Sequence, residues 1–167
     1  MRKKKVVVDA SIAVKWVLNE PDSSAAVALL TDWTDGEGIK VLAPGLLLYE
    51  VTNTFHRHIR KGDITFDDVK QGLTEIIFEV IDFKFSRNAS LNIRAMEIAQ
   101  QFGLPAAYDA QYLAFAEYSG CELWTADTRL WNSIKGKLAW VRWMGDYPNN
   151  SGDSRGVSPG TGKDFAR

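Results

Sequence analysis

The chain has 167 residues, 46% of them hydrophobic and 25% charged, which suits one soluble domain with a real core and excludes disorder over most of its length. A formal net charge of -1 excludes a protein that coats nucleic acid non-specifically, but leaves room for an enzyme that grips a few phosphates locally. The single cysteine, Cys121, excludes an intrachain disulfide and fits a reducing cytosol.

In chain order, Met1 to Lys5 is basic, but the apolar run after it is only Val6-Val7-Val8, too short for a signal peptide or a membrane span. A cytoplasmic location is therefore expected. Val6–Val8 reads as a buried strand, Ser11–Leu18 as a helix interrupted by Glu20-Pro21-Asp22, and Ser23–Trp33 as a second helix ended by Asp35-Gly36-Glu37-Gly38. Val41–Ala43 is a strand. Pro44 fits the first turn of a helix running to about Arg60, with Gly62 as its stop.

Asp67–Glu79 reads as a helix, Val80–Phe83 as a strand, and Ser90–Phe102 as a helix stopped by Gly103. Ala107–Tyr118 is the next helix, followed by the strand Glu122–Trp124, the helix Thr128–Ile134 and a final strand over Leu138–Trp143. Short apolar strands alternating with longer helices predict an α/β fold, a three-layer α/β/α sandwich around a mainly parallel central sheet. From Tyr147 the composition turns to Pro, Asn, Ser and Gly, so residues 1–146 are expected to form the domain and 147–167 a disordered tail.

Four acids stand in apolar surroundings: Asp9 after Val6-Val7-Val8, Glu50 after Leu46-Leu47-Leu48-Tyr49, Asp109 in Ala106-Ala107-Tyr108-Asp109-Ala110, and Asp127 after Leu123-Trp124-Thr125-Ala126. An ionised carboxylate near a core is costly unless it is paired, hydrogen-bonded or bound to a metal. Asp9 and Asp127 each follow a strand and precede a helix, where ligands collect in parallel sheets. Such hard oxygen donors suit Mg²⁺ or Mn²⁺ better than zinc. Each acid also has a structural explanation. Asp9 and Asp127 could be N-caps, Asp109 a first-turn acid, and Glu50 the partner of an arginine. The cap explanation does not reach Glu50 in mid-helix. Glu50, Asn53 and Arg57 fall at i, i+3 and i+7 and so share one face, with Leu47, Val51 and Phe55 on a neighbouring packing line. Asp109, Tyr112 and Leu113 likewise share a face.

The series Val6-Val7-Val8-Asp9-Ala10-Ser11, Glu50-Val51-Thr52-Asn53, Tyr108-Asp109-Ala110-Gln111-Tyr112-Leu113 and Thr125-Ala126-Asp127 resembles a PIN domain, and most closely the VapC-type toxins of toxin–antitoxin pairs. The resemblance covers residues 5–143. It implies a PIN-like α/β/α sandwich whose acids hold one or two Mg²⁺ or Mn²⁺ ions, with Asp9 and Asp109 as principal ligands and Glu50 and Asp127 completing the set directly or through water. Ser11, Asn53 and Thr125 match supporting positions. The implied activity is endoribonucleolytic hydrolysis of RNA without a covalent nucleophile. The implied partners are RNA, a small antitoxin and a second copy of the chain.

Other signals are weaker. Arg57, Arg60 and Lys61 could contact RNA phosphates, or could simply complement the dipole at a solvated helix end. His56 and His58, two apart, diverge on a helix and cannot form a zinc pair. Gly156 to Asp164 resembles a Walker A loop but has wrong spacing, and Asp164 replaces the required hydroxyl. Two other functions remain open at this level: a PIN fold kept as a binding scaffold without cleavage, and a phosphatase using Asp9 as nucleophile.

Overall fold

The computed structural model describes residues 4–36, 38–87 and 89–147. Five strands, β1 (Lys5–Val8), β2 (Lys40–Pro44), β3 (Ile81–Lys84), β4 (Glu122–Thr125) and β5 (Val141–Trp143), form one sheet in the order β3-β2-β1-β4-β5. Every pairing is parallel, with Val7 opposite Leu42 on one side and Leu123 on the other. The central strand β1 is buried on both faces along Val6-Val7-Val8, as its unbroken β-branched run requires.

Helices α1 (Ala10–Ala13), α2 (Ser23–Thr31), α3 (Leu46–Lys61), α4 (Phe66–Gly72), α5 (Phe78–Val80), α6 (Ala89–Phe102), α7 (Ala107–Ser119) and α8 (Thr128–Ile134) connect and cover the strands. Helix α7 packs across β1, β2 and β4 with α6 against it. Trp33, just past α2, meets Trp124 of β4 edge to face at 5.6 Å. The α/β architecture with a parallel sheet flanked by helices is thus the one expected from the sequence.

The element boundaries carry some corrections. The expected helix Ser11–Leu18 is a single α turn followed by a 3₁₀ turn, Val14–Trp16. Pro44 does not open α3. It ends β2 opposite Lys84, beyond the last pair with β1, so its missing N–H interrupts no bond to that strand. Gly45 takes the N-cap instead, and a side chain there would run into the Phe85 ring. Gly62 stops α3 as expected, at φ 80. The helix expected over Asp67–Glu79 is broken by a π-helical turn, Leu73–Ile77, placed after Gly72 packs on Val17.

Tyr147, expected as the first tail residue, belongs to the packed domain. Its ring meets Trp124 at 6.2 Å and its hydroxyl donates to Asp32. The rest of the expected tail and the Walker-like segment lie outside the described residues. Among those described, no helix is long and apolar enough to cross a membrane.

Candidate active site at the carboxyl edge of the sheet

Strands β2 and β3 lie on one side of β1, and β4 and β5 on the other. The connections therefore reverse direction between β1 and β4, and the carboxyl ends of these two strands leave a crevice. A cavity of about 360 Å³ opens there, lined by Asp9, Ala10, Ser11, Val14, Glu50, Asn53, Thr54, Arg57, Asp109, Tyr112 and Asp127. All four expected acids line it, each from a different element.

Local structure explains each placement. Asp9 ends β1 and caps α1, accepting from the Ile12 amide at 3.4 Å. Asp127 caps α8, accepting from the Arg129 and Leu130 amides at 2.8 and 3.3 Å. Asp109 lies in the first turn of α7. The capping explanation therefore holds for Asp9 and Asp127 together with their place in the cleft: one carboxylate does both. On α3, Leu47, Val51 and Phe55 are buried, which turns the stripe of Glu50, Asn53, Thr54 and Arg57 to the cavity.

Asp9 is 4% exposed and Thr125 0%, and they are the buried polar or charged residues of the described fold. Ser11 Oγ donates to Asp9 Oδ1 at 2.5 Å, and Thr125 Oγ1 donates to Asp9 Oδ2. Each hydroxyl also accepts a backbone amide from the β4–α8 turn. The Ala126 N–H reaches Ser11 Oγ at 2.8 Å, and the Asp127 N–H reaches Thr125 Oγ1 at 3.0 Å. Two amides thus fix two hydroxyls, which fix both oxygens of one carboxylate. Of the three residues expected to support the acids, Ser11 lines the cavity and Thr125 lies beneath it, both bonded to Asp9, whereas Asn53 lines the cavity without a hydrogen bond to an acid among the described residues.

Burial pushes the Asp9 carboxyl up to about 7, with Asp109 and Asp127 adding repulsion against the help of the two hydroxyls. Burial likewise raises Glu50 and Asp109, and neighbouring carboxylates raise both further. Glu50 accepts a hydrogen bond from the Tyr112 hydroxyl. Asp109 has no hydrogen-bond partner among the described residues. Its nearby cation is Arg129, whose guanidinium stands 3.9 Å from Asp127 Oδ2 on a side chain that is 92% exposed.

Of the three cations expected to face RNA, Arg57 alone lines the cavity, donating to Thr54 Oγ1 at 3.1 Å. Arg60 and Lys61 are exposed in the last turn of α3 and do not line it. His58 turns the other way, to Asp63 at 3.0 Å and Glu20 at 3.8 Å. Thr54 and Arg129 are further site residues that the motifs do not mark; Thr54 stands four residues after Glu50 on the same helix face, and Arg129 two residues after the cap Asp127. Tyr112 was visible only as a face-mate of Asp109.

The cavity presents hard anionic oxygens with little compensating charge, the donor type and charge that suit a divalent cation such as Mg²⁺ or Mn²⁺. The acids line its wall without closing on one point: among the described residues no three Asp, Glu, His or Cys groups form a ready ligand shell. Asp9 as an attacking group fits poorly, because both its oxygens are hydrogen-bonded and the residue is buried.

A family model described as the PIN domain matches residues 6–136. A curated relative, Ribonuclease VapC3 of Pyrobaculum aerophilum, is 32% identical over 127 residues, covering 75% of this chain and 92% of the relative. A solved protein of the same organism, PAE2754, superposes with a TM-score of 0.60 at 22% identity, covering 85% of each chain. A toxin–antitoxin complex from Klebsiella pneumoniae contains a chain with a TM-score of 0.57 at 16% identity, covering 83% of this chain and 97% of that one. The parallel sheet, the acids gathered where its connections reverse and these likenesses agree, and the chain belongs to the PIN domain family, in its VapC-type branch.

Proposed function

We propose that the chain is a metal-dependent endoribonuclease, the toxin component of a type II toxin–antitoxin pair. The observation that carries this reading is the convergence of Asp9, Glu50, Asp109 and Asp127, from four separate elements, on one cavity. Three of these carboxyls are pushed up by burial and by one another, which is the signature of a site short of positive charge. The curated relative's name supports RNA as the substrate.

In this reading Asp9 and Asp109 are the principal ligands of Mg²⁺ or Mn²⁺, and Glu50 and Asp127 complete the set directly or through water. The bound ion would lower the pKa of a water and neutralise charge on the phosphate. The remaining work falls to the chain itself. Ser11 and Thr125 hold Asp9 in one orientation, so its free lone pairs face the cavity. Asn53 offers an amide for a backbone or sugar oxygen, and Arg57 and Arg129 flank the acids as cations for the neighbouring phosphates. A small antitoxin that blocks the acidic cavity and a homodimer complete the proposal; the toxin–antitoxin complex that shares this fold supports the antitoxin partner.

The test is cleavage of structured and unstructured RNAs by purified protein with Mn²⁺, with Mg²⁺ and with chelator, beside Asp9→Asn and Asp109→Asn. Cleavage that needs the ion and is lost in both variants is expected. Equal cleavage by the variants, or indifference to chelator, overturns the metal-site reading. A wild type that cuts no RNA would leave a binding scaffold.

A further inference from the structure

We infer that Tyr112 is a positioning residue of the acidic site: its hydroxyl fixes Glu50 of α3 relative to Asp109 of α7. The inference rests on the proposed metal-site reading and adds to it a residue with no carboxylate of its own.

The geometry is specific. Tyr112 is 1% exposed, yet it lines the acidic cavity, so its ring is core and its hydroxyl is the part that reaches the site. That hydroxyl donates to Glu50 Oε2. Asp109 precedes Tyr112 by three residues on α7, which places the two on one helix face. One phenol therefore ties together the elements that carry Glu50 and Asp109, in the cavity that Asp9 also lines.

No other described side chain does this for Glu50. Asp9 has two hydroxyls and Asp127 has two backbone amides, whereas the hydrogen-bond donor to Glu50 is Tyr112. Glu50 stands on the cavity-facing side of α3, whose buried side carries Leu47, Val51 and Phe55. Without the phenol the Glu50 carboxylate is free to rotate toward solvent. Phenylalanine at this position keeps the packing and removes only the hydroxyl, because the ring already fills its place in the core.

The experiment is calorimetric titration of Mn²⁺ into RNA-free protein, for wild type, Tyr112→Phe, Glu50→Ala and the double variant, each checked by thermal melting. Tyr112→Phe is expected to weaken Mn²⁺ binding about 10-fold or more, as loss of a group that orients a ligand does. In the Glu50→Ala background the same change is expected to have under about a twofold effect, since its target is gone. Replacing Tyr112 with 4-aminophenylalanine, which keeps a donor on the ring, is expected to restore most of the affinity and covers the case in which phenylalanine disturbs folding. Unchanged Mn²⁺ affinity in Tyr112→Phe, an equal loss with and without Glu50, or no rescue by the amino analogue overturns the positioning role. Absence of Mn²⁺ binding by the wild type overturns the metal-site reading itself, and this inference with it.

Discussion

Carboxylates gather in two parts of this fold under opposite conditions. In the α6–α7 corner, Arg94 donates to Glu117 at 2.7 and 2.9 Å and to Glu97 at 3.1 Å, in the open. At the carboxyl edge of the sheet, Asp9, Glu50 and Asp127 meet hydroxyls and backbone amides while Asp109 has no such partner among the described residues, and Arg129 is a nearby cation, 3.9 Å from Asp127. The guanidinium holds Glu117 below the usual carboxylate range, while burial lifts Asp9, Glu50 and Asp109 above it. The first group is paired with a cation and solvated, so its contribution to stability is small. The second is unbalanced and half-buried, a cost that the fold carries where a ligand would relieve it.

The largest expected contrast comes from the same chemical change made in both places. Asp109→Asn should reduce RNA cleavage by more than about 100-fold, beyond what loss of a supporting group costs. The metal-free variant should melt no lower than wild type, because a repulsive charge has gone. Glu117→Gln should leave cleavage untouched. A metal-free Asp109→Asn protein that melts well below wild type would break the comparison.

Next in size is Thr125→Val, which removes a donor to Asp9 and the acceptor of the Asp127 amide. Cleavage or Mn²⁺ affinity should fall by about 10- to 100-fold. Chemical denaturation should register a loss of about 1–3 kcal/mol from the unsatisfied buried groups.

The pH dependence of stability follows from Asp9. Its folded carboxyl sits at about 7 against 3.8 unfolded, so between these values the folded chain holds a proton that the unfolded chain has released. Metal-free protein should therefore lose several degrees of Tm as pH rises from about 4 to about 7. Asp9→Asn should flatten that slope, and saturating Mn²⁺ should offset it at the upper end. A Tm that rises steadily through this window in metal-free protein would contradict the burial argument.

Smaller still is Arg129→Gln. With a side chain 92% exposed, it should leave Tm unchanged and raise KM for RNA a few-fold at low salt, the difference shrinking as salt is added. The smallest expected effect is that of Arg94→Gln, within about 1 kcal/mol by denaturation and without change in cleavage.

Much of the architecture was legible in the sequence because each element carries its own local code. Val6-Val7-Val8 can only be a strand buried on both faces, and Thr128–Ile134 is a helix with its cap, Asp127, in place. The errors fell where local and tertiary demands differ. Pro44 suits a helix start by itself, but β3 holds it in the sheet through Lys84. The segment Asp67–Glu79 has helical periodicity, yet the close approach of Gly72 to Val17 accompanies a wider turn that no spacing announces.

The acids themselves, their order and their places at strand ends or helix faces were fixed by sequence, since strand and helix periods decide which side chains share a face. Which faces meet was decided only by the tertiary structure. It chose Arg57 over Arg60 and Lys61, brought Arg129 near Asp109, and put Thr125 under Asp9 across 116 residues of chain. It also set the phenol of Tyr112 against Glu50, 62 residues away. Periodicity describes one element at a time, whereas a hydrogen bond between elements depends on how two of them pack.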